Sequence, residues 1–304
     1  MISVTVARQI IMYSRLRSIK LARSELAHCS ARHDNMLEQQ LDLFSGDCIP
    51  MEKPSPQGLA RRPAVVDLDN EALIAAIPAA NLGDCTALAA EAARRRLAAA
   101  IPALAALCRC FAGFGIDRVV PEQSAALRAL AVIGSRDAAQ AISLLIVRGV
   151  VQGPALGLAV AVAAQLHATL PDDVLRSLLR HVDPDVRANA CRCACRRPEL
   201  IAVMTDLLDD LNQAVAKSAA CALGQMGRIE ARPMLASLLR AEPSEEVIDA
   251  VSSVADEECI VLLGRIARSK PALSDAALNT IESIDHHRAS AIAIGIRARA
   301  SAVM

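Results

Sequence analysis

The sequence predicts an all-α protein, an α-solenoid of stacked antiparallel helix pairs, on three observations. Hydrophobic residues make up 54% of the 304-residue chain but aromatics only 1%, so Ala and Leu, the strongest helix formers, must supply the core. Few stretches show the β-branched alternation of a strand. Similar apolar segments also recur at a nearly constant spacing, the signature of a repeat architecture.

The repeat is clearest in three successive segments. LLRHVDPDVRANACRCACRRPELIAVMTD begins at Leu178, LLDDLNQAVAKSAACALGQMGRIEARPMLAS at Leu207, and LLRAEPSEEVIDAVSSVADEECIVLLGR at Leu238. Each opens on paired Leu, crosses a polar turn, starts a helix with a Val and returns through a second apolar helix. The three Val residues are Val186, Val215 and Val247, spaced 29 and 32 apart. Similar steps reach back to Leu156 and Leu127 and forward to Ala276. An earlier pair, ALAAEAARRRLAAA with IPALAALCRCF, fits as one more, giving six or seven pairs. Neither helix of a pair can bury its stripe alone, so stacking supplies the common core. Asp183 before Pro184 is a good helix start, because Asp accepts from free amides and Pro suits the first turn. Gly227 suits a left-handed helix stop.

At these residues the chain resembles the HEAT-like repeats of the phycobilisome-lyase type. Asp183, Pro184, Val186, Arg187 and Ala190 match the first half of that family's signature. Ala222, Leu223, Gly224, Met226 and Gly227 match the second half, and Ala129, Leu130, Ile133 and Gly134 match it more loosely. The Arg position holds Ala216 and Ile248 in later copies, and the last repeat is degraded. The resemblance covers roughly residues 70–295. It implies the fold and a binding surface rather than an activity, since one fold hosts many functions.

Three regions are expected: a basic leader (1–35), an arm (36–64) and the solenoid (65–304). Residues 1–35 carry six Lys/Arg and two acids, and residues 286–304 carry three Arg and no acid. With zero net charge overall, residues 36–285 hold −7. The leader faintly resembles a transit peptide, but an over-extended start upstream of Met36 is the preferred reading, and residues 1–35 are expected to be dispensable for folding. Ten Cys without a secretory pattern read as reduced thiols, hence a cytoplasmic protein. Residues 149–171 lack Asp, Glu, Lys and Arg, yet Pro154, Gly153, Gln152 and Gln165 argue for a buried pair of helix pieces rather than a membrane span.

Candidate chemistry is sparse. On a helix Cys191 and Cys195 share a face and Cys193 points away, and no second ligand pair accompanies them, so buried thiols are expected rather than zinc. Cys108 and Cys110 read the same way. His286 and His287 face different directions and suit a solvated helix start. Glu257-Glu258 and Asp209-Asp210 read as solvated charge at turns. No phosphate loop, nucleophile motif or cofactor signature is present. The enzymatic alternatives are a bilin-lyase-like protein or a repair enzyme such as an alkyl-base DNA glycosylase. An acidic body without Trp, with its one Tyr outside the repeats, argues against base stacking in a groove. Arg94-Arg95-Arg96 would spread around a helix, so the repeats are expected to bind protein rather than nucleic acid. A mixed-sign surface of second-helix residues, including Arg176, Arg180, Asp209 and Arg240, is the expected contact.

One peptide stands apart. QLDLF, Gln40, Leu41, Asp42, Leu43 and Phe44, precedes SGDCIPMEKPSPQG. As a helix end it would run from an Asn35 cap with Glu38, bury Leu37, Leu41 and Phe44, and stop at Ser45-Gly46. It also resembles, at all five places, the peptide by which bacterial replication and repair proteins dock on the DNA sliding clamp. That resemblance implies that Leu43 and Phe44 fill an apolar pocket and the Gln40 amide satisfies its rim. The function expected is a non-catalytic scaffold or adaptor with a protein partner on its solenoid. A tether to the sliding clamp would place it in replication or repair, and a purely structural interaction module is the remaining alternative.

Overall fold

The computed structural model describes residues 65–303 other than Asn81. The chain divides into two units, Met1–Arg61 and Arg62–Met304, and everything described lies in the second. Gln40–Phe44 and the leader lie outside the described residues.

Among the described residues there are fifteen α-helices and no strand. In chain order they are α1 (Asn70–Ala76), α2 (Leu82–Arg94), α3 (Ile101–Cys110), α4 (Pro121–Ile133) and α5 (Arg136–Val147). Then come α6 (Pro154–Gln165), α7 (Asp172–Leu179), α8 (Pro184–Ala194), α9 (Ile201–Asp206) and α10 (Gln213–Gln225). The last are α11 (Arg232–Ala241), α12 (Glu245–Val251), α13 (Glu257–Ser269), α14 (Pro271–Ser283) and α15 (His287–Val303). From α2 onward the even-numbered helices stack on one another in an unbroken row. The odd-numbered helices form the second layer and return between them. This is the predicted solenoid.

Local chemistry sets the starts and stops. Asp183 accepts from the Asp185 N–H at 2.9 Å and Pro184 opens α8. Asn212 accepts from the Ala214 N–H at 2.9 Å to open α10, and Asp256 from the Cys259 N–H at 2.9 Å to open α13. Each side chain satisfies an amide with no partner inside the helix. Val186, Val215 and Val247 are fully buried, as their spacing predicts. Gly227 is left-handed, at φ 71°, after α10. Small residues let the even helices approach closely: a Cβ on Gly224 of α10 would lie 2.5 Å from the Ala250 carbonyl oxygen of α12.

Residues 149–171 hold one helix, α6, rather than two pieces, because Pro154 opens it instead of breaking it. No helix among the described residues is long and apolar enough to cross a membrane. His287 does begin α15, and His286 Nδ1 accepts from the Arg288 N–H at 3.2 Å. The Arg94-Arg95-Arg96 run departs from expectation. Helix α2 ends at Arg94, Arg96 is left-handed at φ 50°, and Arg94 and Arg95 both donate to the buried Glu91 carboxylate. The two guanidiniums hold that carboxyl down to about 2.

Candidate functional site

A recess of about 950 Å³ runs along the even-helix layer across α6, α8, α10 and α12. The expected contact residues Arg176, Arg180, Asp209 and Arg240 belong to the other layer or its turns. None of them lines this groove. Arg240 is instead paired with Glu258 of α13. Polarity alone does not reveal which layer carries the recess.

The groove is built mainly from the C-terminal halves of its helices and the turns that follow, with Glu246 added from the start of α12. Cys195 is the residue after α8 and adopts an extended backbone (φ −52°, ψ 129°), so it leaves the helical face it would share with Cys191. Cys191 is fully buried in the core, while Cys193 and Cys195 line the groove together. The Cys195 thiol donates to Gln225 Oε1 at 2.9 Å, and Gln225 Nε2 donates to Asp249 Oδ2 at 3.0 Å. Three repeats are thereby linked by one polar chain along the wall. Above it, Arg192 of α8 reaches over α10 to Glu246 of α12 with two hydrogen bonds of 3.1 and 3.2 Å. Arg197 pairs with Asp172 at 3.2 Å.

The thiols here are not activated. Burial pushes Cys193 and Cys221 up to about 12 and raises Cys195 as well. A thiol held protonated is a weak nucleophile and a poor metal ligand. Among the described residues no cluster of His, Cys, Asp or Glu is arranged to hold a metal ion. What the groove offers is a polar, hydrogen-bonding channel with charges of both signs, rimmed by Ser218, Ser252 and Ser253.

Asp210 corrects a further expectation. Rather than a solvated acid at a turn, its side chain is only 9% exposed and takes two hydrogen bonds from Arg187, at 2.8 and 2.9 Å. Arg187 also donates to the His181 and Val182 carbonyls at 2.8 and 2.9 Å. It clamps the turn before its own helix to the turn before the next, which holds the groove helices in register.

Residues 172–255 match the family model of HEAT repeats, a segment that includes most of this groove. No curated protein matches the chain. Among solved structures, the complex of CpcE and CpcF of phycocyanin lyase from Nostoc sp. is similar at a TM-score of 0.48 and 16% identity. That likeness covers 79% of this chain and 99% of the other.

Proposed function

We propose that this chain is a non-catalytic scaffold or adaptor of the cytoplasm. It seats a polypeptide partner in the even-helix groove and docks on the DNA sliding clamp through Gln40–Phe44, in replication or repair. The groove is the observation that carries the first half. It spans four helices, and its lining presents donors and acceptors of mixed sign to an elongated ligand. Stacked helix repeats characteristically use such extended surfaces for binding. The five-residue match and the Pro- and Ser-bearing segment after it support the tether.

The groove is tested by comparing what the intact protein and its Ser253→Trp form capture and retain from cells. Ser253 is exposed on the groove wall, so Trp fills the channel without entering the core. One defined protein should be retained by the wild type and by an Arg128→Trp control, and lost from Ser253→Trp. Equal retention by all three would place the partner elsewhere. Separately, a peptide covering residues 36–50 should bind purified clamp, and Leu43→Ala with Phe44→Ala should abolish that binding. Silence of the wild-type peptide at high micromolar concentration would remove the tether and leave the groove untouched.

A further inference from the structure

The groove's wall carries a set of backbone outliers with a shared chemistry. Among the described residues, three residues other than Gly have positive φ: Arg96 (50°), His167 (51°) and Arg196 (75°). Each follows the end of an even-numbered helix, α2, α6 and α8 respectively. The corresponding place after α4 and α10 is held by Gly134 (68°) and Gly227 (71°). Glycine adopts this conformation without strain, and an L side chain does not. A strained basic residue therefore holds three of the five left-handed positions that follow even-numbered helices.

The left-handed backbone itself closes the helix end, with the Leu97 N–H donating to the Ala92 oxygen at 3.0 Å and the Ala168 N–H to the Ala163 oxygen at 2.8 Å. That role does not require Arg or His, since glycine would fill it without strain. Arg196 and His167 are exposed, and both line the groove, in neighbouring repeats. Around them the charges sort by position. At the α6–α8 end, Arg197 is paired with Asp172 and Arg192 with Glu246, which leaves Arg196 as the cation with no counter-ion. At the α12 end, Asp249 is held by the Gln225 amide alone. Strain retained at a surface recess points to a ligand that uses it.

We infer that the groove takes an acidic polypeptide segment, whose carboxylates lie on Arg196 and His167. The inference rests on the groove reading above and gives its partner a chemistry. A carboxylate seated on Arg196 supplies the counter-ion that the fold does not. Nucleic acid fits less well. No Phe, Tyr or Trp lines the groove to stack a base.

The test uses the full chain and fluorescence anisotropy with labelled fifteen-residue peptides of Ala and Glu, Ala and Gln, or Ala and Lys, and with a single-stranded oligonucleotide. The Ala-Glu peptide should bind about tenfold tighter than the Ala-Gln peptide, with affinity that falls as salt rises. Arg196→Gly should weaken it about fivefold, while the melting temperature stays level or rises because the left-handed strain is relieved. A purely structural Arg196 would leave binding unchanged. Arg128→Glu, on the exposed face of α4, should leave it unchanged in any case. Equal binding of Ala-Gln and Ala-Glu peptides would overturn the acidic preference while sparing the groove. Tighter binding of the oligonucleotide would overturn it in favour of nucleic acid. Absence of binding by every peptide, with Ser253→Trp losing no partner, would sink the inference and the groove reading together.

Discussion

Gly153→Ala is expected to lower the stability of the solenoid by about 4 kcal/mol, more than any other single methyl group added to it. Gly153 sits before α6 at φ 56° and ψ −140°, a region that only glycine visits freely. A Cβ there would also lie 2.2 Å from the Gly115 carbonyl oxygen and 2.3 Å from that of Ile116. Both obstacles are backbone, so no side-chain rotation relieves them. The residue thus acts as the socket for the 113–117 turn, and its lack of a side chain is what lets α6 begin beside that turn. The melting temperature should fall by roughly 10 °C. Gly295→Ala is the control: Gly295 is an exposed residue of α15 whose Cβ would meet nothing within 4 Å. That change should be neutral or stabilising, by up to about 1 kcal/mol, through helix propensity. A Gly153→Ala protein melting within about 2 °C of wild type would show that the turn yields, and the socket account would fail.

Gly153 also marks how far the sequence could be read. Periodicity and capping are local, so Val186, Val215 and Val247 announced the buried face, and Asp183-Pro184 announced a helix start. The partners of Gly153 lie nearly forty residues upstream, and no local pattern names them. Asp210 was misread for the same reason. Its neighbours in sequence are polar and at a turn, while the guanidinium that buries it comes from Arg187 in the preceding repeat. The left-handed groove residues did leave a signal. Gln225-Met226-Gly227-Arg228 lines up with Gln165-Leu166-His167-Ala168, and the substitution of His for the helix-stopping Gly is legible once the repeats are set in register. Cys195 left none, because nothing in CRCACRR says that the helix stops one residue before it.

Arg187→Met is expected to cost about 3 kcal/mol, because it strips the cation from a nearly buried carboxylate without returning that carboxylate to water. Asp210 would keep the Asn212 N–H, which it accepts at 2.9 Å, and lose both guanidinium hydrogen bonds. The later repeats show the alternative solution. At the Arg187 position they carry Ala216 and Ile248, 4% and 1% exposed, and pack the site with carbon. The double change Arg187→Met with Asp210→Leu should therefore recover most of the loss, since an apolar pair of similar volume often equals a buried ion pair. The pH dependence supplies a second readout. Arg187 holds the Asp210 carboxyl below its usual 3.8 in the folded state. A depressed folded value means that the pair's stabilisation is complete above the unfolded value and is lost as pH falls through the folded one. Wild type should thus lose stability in acid below about pH 4, and the double variant should lose less over the same interval. Glu91, held at about 2 by Arg94 and Arg95, contributes an acid loss of the same sign in both proteins, so only the difference between them reports Asp210. If Arg187→Met alone melts like wild type and its acid limb is unchanged, the clamp between repeats contributes nothing, and the register of the groove helices must come from apolar packing alone.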